Sequence, residues 1–152
     1  MNASVTSART RDVVKQLSIF TANRIGQLHD IVSIFASHEV HVLALTIMDA
    51  TDNAIIRLVI DDPEKARELL RKNDFAFTES EVLVVELDAV TQLNQLMTAL
   101  LEAELNVNYL YSFIPHPNGK SLMALSMEDN DVAEDILRKH HFRVLRQSDI
   151  SR

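Results

Sequence analysis

One short stretch of the chain gathers residue types that grip a small charged molecule. It is Ala22-Asn23-Arg24-Ile25-Gly26-Gln27-Leu28, where a short apolar run ends and a helical pattern begins. A glycine at such a corner lets a ligand reach the backbone with no Cβ in the way. The N–H groups of Gly26, Gln27 and Leu28 would open the helix, where amides lack intrahelical partners and favour a carboxylate. Asn23 adds a donor and an acceptor suited to an ammonium or an amide. Together these describe a pocket for a small zwitterion. The same residues also suit a plain helix-opening turn in which Gly26 only relieves backbone φ.

Other clusters read as structural. His38-Glu39-Val40-His41 is one residue short of the metalloprotease spacing, which favours a solvated helix end over a metal site. His140-His141 sits at a helix C-terminus, where imidazolium suits the dipole. Asp49 with Asp52 and Asp61 with Asp62 fall near turns and helix starts, as turn formers and caps rather than paired catalytic carboxylates. Tyr109 and Tyr111 point to one face of a strand, where they pack in a core or interface or line a pocket. Cysteine is absent, which excludes disulfides and thiolate chemistry, and the only glycines, Gly26 and Gly119, cannot build a phosphate-binding loop. With no nucleophile, metal set or acid–base pair gathered in one cleft, no enzyme, cofactor or metal is expected.

The 152 residues, 47% hydrophobic and 24% charged, suffice for one ordinary domain or two small ones. A net charge of −7 without a basic stripe argues against nucleic acid as a partner. No apolar run approaches the roughly 20 residues of a membrane span, and the polar start lacks a signal-peptide core, so no membrane partner and a cytoplasmic setting are expected. The chain repeats itself. The stretch Ala22 to Leu28 aligns with Leu87 to Leu93, Val42 with Val107 and Leu45 with Leu110; after two added residues near Pro115 to Lys120, Leu70 to Phe75 aligns with Leu137 to Phe142. Residues 1–12 read as a disordered tail, 13–81 as a first domain and 82–152 as a second.

Each repeat reads as strand, helix, strand, strand, helix, strand. Leu28, Ile31, Val32 and Phe35 form one helical stripe, and Leu93, Leu96, Met97, Leu100 and Leu101 form its copy. Asp62 with Pro63, and Asp129, mark the starts of the second helices. Fourth strands are expected at Phe75 to Thr78 and Phe142 to Arg146. The order gives an α+β, ferredoxin-like βαββαβ fold used twice, with antiparallel sheets and helices on one face. The second strand, Val42 to Met48, lies at a sheet edge and is apolar, so pairing between repeats into a continuous eight-stranded sheet is expected. On the third strands Ile55, Val59, Met123, Leu125 and Met127 imply a partly apolar face away from the helices, and with it a homodimer.

Asn-Arg-Ile-Gly-Gln-Leu resembles the Asn-Arg-Pro-Gly-x-Leu signature of ACT domains, small βαββαβ ligand-binding regulatory modules, and two such units span about Val14 to Gln147. The Asp62-Pro63-Glu64-Lys65-Ala66 helix start is similar to stand-alone tandem members. The resemblance implies amino-acid binding at the first strand–helix loop, usually across an interface between two units, with Asn23 and Gly26 touching ligand. It extends the candidate site to Arg24, Ile25, Gln27, Leu28 and His41, the last standing where the family often has a strand-opening Asn. Ile25 replaces the usual Pro, and His41 brings a side chain of a class that titrates near neutrality. The second repeat has lost the glycine but keeps Asn106. The implied role is an amino-acid-binding regulatory protein acting on a partner enzyme or through oligomerisation; the alternative is a ligand-free structural or dimerisation subunit.

Overall fold

The computed structural model describes residues 12–22, 24–89, 91–115 and 120–151. In chain order these form β1 (Lys15–Thr21), α1 (Arg24–Ser37), β2 (Val42–Asp49), β3 (Ala54–Ile60), α2 (Pro63–Lys72), β4 (Ala76–Glu81), β5 (Leu83–Leu87), α3 (Gln92–Glu102), β6 (Val107–Ser112), β7 (Ser121–Met127), α4 (Asn130–Lys139), β8 (Arg143–Leu145) and a short α5 (Gln147–Ile150). The fold is α+β, with two four-stranded antiparallel sheets ordered β2-β3-β1-β4 and β6-β7-β5-β8. The ferredoxin-like pattern therefore occurs twice, as the repeat predicts. The tail expected over residues 1–12 lies outside the described residues, apart from Asp12.

Alternation along the strands builds each core. Leu17, Ile19, Ile56 and Leu58 of the first sheet meet Ile31 and Phe35 of α1. Leu83, Val85 and Leu125 of the second meet Leu96 and Leu100 of α3 and Leu137 of α4. Full burial of a side chain this size is worth about 1.5–3 kcal/mol, so these stripes fix which face each helix turns to its sheet.

The expected eight-stranded sheet is not formed; the two sheets are separate. Both outer second strands carry a bulge, between Val42 and Ala44 in β2 and between Val107 and Tyr109 in β6. A bulge twists an edge away from flat pairing. Part of the apolar edge that implied a strand partner is absorbed as side chains instead: Ala44 is buried and Val42 and Leu45 pack on the core, while Ile47 and Met48 stay exposed.

Two further expectations are corrected. Met123, Leu125 and Met127 face the helix-covered core of the second repeat, not the opposite face, because β7 sits one residue out of phase with that assignment. β4 runs on to Glu81, through the stretch read as a junction, so only Val82 separates it from β5. As an outer strand it is largely exposed, and its Thr-Glu-Ser-Glu sequence carries no apolar alternation to announce it.

Helix ends follow one rule. The Asp62 carboxylate accepts the Lys65 N–H at 3.1 Å, and Asp129 accepts that of Val132 at 3.1 Å, so both second helices are capped as their start signals predict. All four long helices stop at a residue in the left-handed region: Glu39 (φ 59°), Asp74 (60°), Glu104 (56°) and His141 (67°). The next residue, respectively Val40, Phe75, Leu105 and Phe142, returns its N–H to Phe35, Leu70, Leu100 and Leu137 and drops its side chain into the core.

The described chain divides into two compact units. Lys15–Ser80 with residues 150–151 form one, and residues 12–14 with Glu81–Asp149 form the other. Within the latter, Val14 accepts the Val82 N–H at 3.1 Å, and Asp12 accepts from the Gln147 N–H at 2.9 Å and the Ser148 hydroxyl at 2.6 Å.

Candidate functional site

β1 ends at Thr21, whose hydroxyl donates to the Ala54 carbonyl at 3.4 Å, and α1 begins at Arg24. Asn23 and the Arg24 side chain lie outside the described residues. The helix starts two residues earlier than the sequence pattern implies. Its opening turn is therefore made by Arg24, Ile25 and Gly26, while Leu28, four residues past Arg24, donates within the helix. Gly26 is exposed and does not take a positive φ, so relief of backbone φ is not its role; the missing side chain is what distinguishes it. Ile25 is 86% exposed. The first turn has no acidic residue to compensate the positive end of the helix dipole. Leu28 packs against the core. Gln27, half-buried beside it, presents a side-chain oxygen that is shielded from solvent and meets no donor among the described residues.

His41 is elsewhere. β1 and β2 run parallel across the α1 crossover, so the corner after β1 and the opening of β2 lie at opposite ends of the sheet. Thr21 and Asp49 both pair with Ala54 at one end, whereas Val42 pairs with Ile60 at the other. At about 3.3 Å per residue, β2 puts on the order of 20 Å between them. His41 is instead held by Asp61, which is only 6% exposed: its carboxylate accepts the His41 backbone N–H at 2.8 Å and lies 2.7 Å from Nδ1, and the Asp61 N–H returns to the His41 carbonyl at 3.2 Å. The second repeat copies this latch. Glu128 accepts from the Asn106 side-chain amide at 3.2 Å and donates its own N–H to the Asn106 carbonyl at 3.0 Å.

The histidines of the His38-Glu39-Val40-His41 stretch share no helix face. His38 Nδ1 lies 2.8 Å from the Ile34 carbonyl, and the left-handed residue Glu39 then redirects the chain. Among the described residues, no group of three His, Asp or Glu side chains could hold a metal ion. The Tyr109 and Tyr111 rings stack with centroids 6.4 Å apart.

The corner of the second repeat is built differently. Thr21 pairs with Ala54 and Leu87 with Ser121, the first residue of the third strand in each repeat. Thr21 rather than Ala22 is therefore the counterpart of Leu87, and the second corner is one residue shorter. Gln92, the counterpart of Gln27, turns its side-chain oxygen back to accept the Asp88 N–H. Lys120 brings Nζ to 2.9 Å from the Asp88 carboxylate and 3.9 Å from that of Glu86. The hydrogen bond to Asp88 above all, then the charges of Asp88 and Glu86, hold the Lys120 ammonium above the ordinary lysine range. Sequence reasoning missed Gln92 and Lys120. The signal available was that Glu86, Asp88 and Lys120 are charged where the first repeat has Phe20, Asn23 and Asn53.

A family model described as an ACT domain pair matches residues 12–152. No curated protein matches the chain. Among solved structures, protein BT0572 from Bacteroides thetaiotaomicron is 28% identical, with 91% of this chain and 95% of that one covered at a TM-score of 0.82. The regulatory subunit of aspartate kinase from Thermus thermophilus, in its ligand-free form, is 12% identical over 85% of this chain and 91% of its own, with a TM-score of 0.59. The corresponding subunit from Thermus flavus is 9% identical over 86% and 94%, with a TM-score of 0.54. The last two likenesses concern the fold.

Proposed function

Because the chain belongs to the ACT domain pair family, we propose that it is a regulatory protein that binds an amino acid at the first-repeat corner and signals to a partner enzyme or through its own assembly. The contrast between the two corners carries the reading. In the first, α1 opens on exposed Ile25 and Gly26 with no acidic side chain in its first turn, a setting in which the helix dipole favours a carboxylate. In the second, a shorter loop is tied by Gln92, Asp88 and Lys120. One corner is suited to a guest, and in the other the chain's own side chains pair with one another.

His41 stands about a strand length from the corner of its own repeat, so it would serve the corner of a second copy; this favours a homodimer as the working form. Phe20 and Met48, exposed on strands that end beside the corner, suit an apolar ligand side chain. A signal follows only if ligand binds two states of the protein unequally. No catalytic role is assigned to the chain, and it is expected to work in the cytoplasm.

The test is a thermal-shift panel of the proteinogenic L-amino acids added singly. At least one should raise the melting temperature, and Gly26→Val should abolish that rise while moving the unliganded midpoint by no more than about 2–4 °C. A second reading, a ligand-free dimerisation subunit, is favoured by one observation: β2 is an outer strand with Ile47 and Met48 exposed. A flat panel together with a tight dimer in sedimentation would select it.

A further inference from the structure

We propose that Met48 is a reversible oxidation site, at which a peroxide converts the thioether to a sulfoxide that Arg57 then holds. The inference goes beyond the amino-acid-binding reading and does not rest on it. Met48 is 41% exposed on the outer strand β2, whereas Met97 and Met123 pack against the core of the second repeat and Met127 is 4% exposed within it. Oxidation needs access to sulfur, so among the described methionines Met48 meets an oxidant first.

Strand register shows what surrounds that sulfur. Met48 and Phe20 both pair with Ile55, so the three side chains form one row across β2, β3 and β1. The row alternates with Ile19 and Ile56 of the core and therefore lies on the face turned away from the helices. Arg57 follows two residues along β3 on the same face, and its Nη1 donates toward the Met48 sulfur at 3.9 Å. A thioether is a weak acceptor, and this contact is long. An oxygen added to sulfur would lie in the gap, within ordinary hydrogen-bond reach of a guanidinium already in place. One oxygen atom passes from hydrogen peroxide to Sδ: a sulfur lone pair forms the S–O bond, the O–O bond breaks, and water leaves. Sulfur is oxidised and peroxide is reduced. The product is polar, so the row loses apolar character at its outer end while β2 gains a tie to β3.

The experiment is a titration of the full chain with hydrogen peroxide, followed by peptide mass spectrometry and thermal melting. Met48 should gain oxygen before Met97, Met123 and Met127. Chain oxidised at Met48, with those three unmodified, should melt about 2–4 °C above untreated chain. Methionine sulfoxide reductases A and B together should restore both mass and midpoint. Met48→Leu, which keeps Met1, should show no shift on treatment, and Arg57→Leu should be oxidised at Met48 without the rise; both are checked for native circular dichroism. Should Arg57→Leu fail to fold, the Arg57 side-chain N–H resonances of the unaltered chain must move on oxidation. Oxidation of the other three as early as Met48, an unchanged or lowered midpoint, an equal rise in Arg57→Leu, or a sulfoxide the reductases leave in place would overturn the proposal. The amino-acid-binding reading is untouched by any of these results.

Discussion

A histidine and an asparagine hold the same post in the two repeats. His41 and Asn106 each tie the opening of a second strand to the acidic residue that closes the third, Asp61 or Glu128. Asp61 was legible, but as a turn former or cap, and Glu128 drew no reading at all. The real partner of each lies across a whole hairpin and is fixed by strand register, which spacing alone does not reveal. The same holds for Lys120, which carries no burial signal in the sequence yet pairs with Asp88 and Glu86. Folding raises the affinity of Lys120 for its proton, so its contribution is fully present at neutral pH and is lost as pH rises through the elevated lysine range. Asp88→Asn should therefore lower stability in chemical denaturation at neutral pH, with a gap that narrows under alkaline conditions. A gap unchanged across that range would show that the pair contributes nothing. At the corner, Gly26 and its neighbours were visible as candidates because a glycine there lets a ligand reach the backbone; the shielding of the Gln27 oxygen was not, since burial of one atom is a property of packing.

Among the secondary-structure elements, starts were easier to read than stops. Asp62 and Asp129 announce α2 and α4 because an N-cap works through its own side chain. Helix ends are commonly announced by glycine, and here none of the four is. Glu39, Asp74, Glu104 and His141 take the left-handed backbone without it, held there by the apolar residue that follows each one into the core. A side chain with a Cβ pays about 1–2 kcal/mol to sit in that region. Glu104→Gly should accordingly raise the unfolding free energy by about 1 kcal/mol, measured by urea denaturation, and a loss of stability would indicate that the Glu104 side chain does more than tolerate the turn. β4 escaped notice in its second half for a related reason. An exposed outer strand needs only backbone pairing, and the Thr-Glu-Ser-Glu stretch offered no apolar rhythm to detect.

For the molecule as a whole, the duplication, the strand order and the helix placement were readable because period-two and period-3.6 patterns recur along the chain. The pairing of sheets was not, since an apolar outer strand is equally served by another strand or by burial of its side chains, and β2 and β6 take the second course for only part of their length, with Ile47, Met48 and Leu110 left exposed. Nor did any pattern indicate that residues 12–14 belong with the second repeat. Removing residues 1–14 deletes the acceptors of the Val82 and Gln147 amides along with the fully buried Val14. The cost should be about 2–5 kcal/mol, concentrated in the second repeat. Hydrogen exchange followed residue by residue should show protection falling there more than in β1–β3, whereas a uniform fall would contradict the assignment. The arrangement also bears on biosynthesis. The segment that braces the second repeat is translated before it, yet Val14 finds its donor only once Val82 has been made and Asp12 only once Gln147 has, so the docking of Asp12 waits for the whole second repeat.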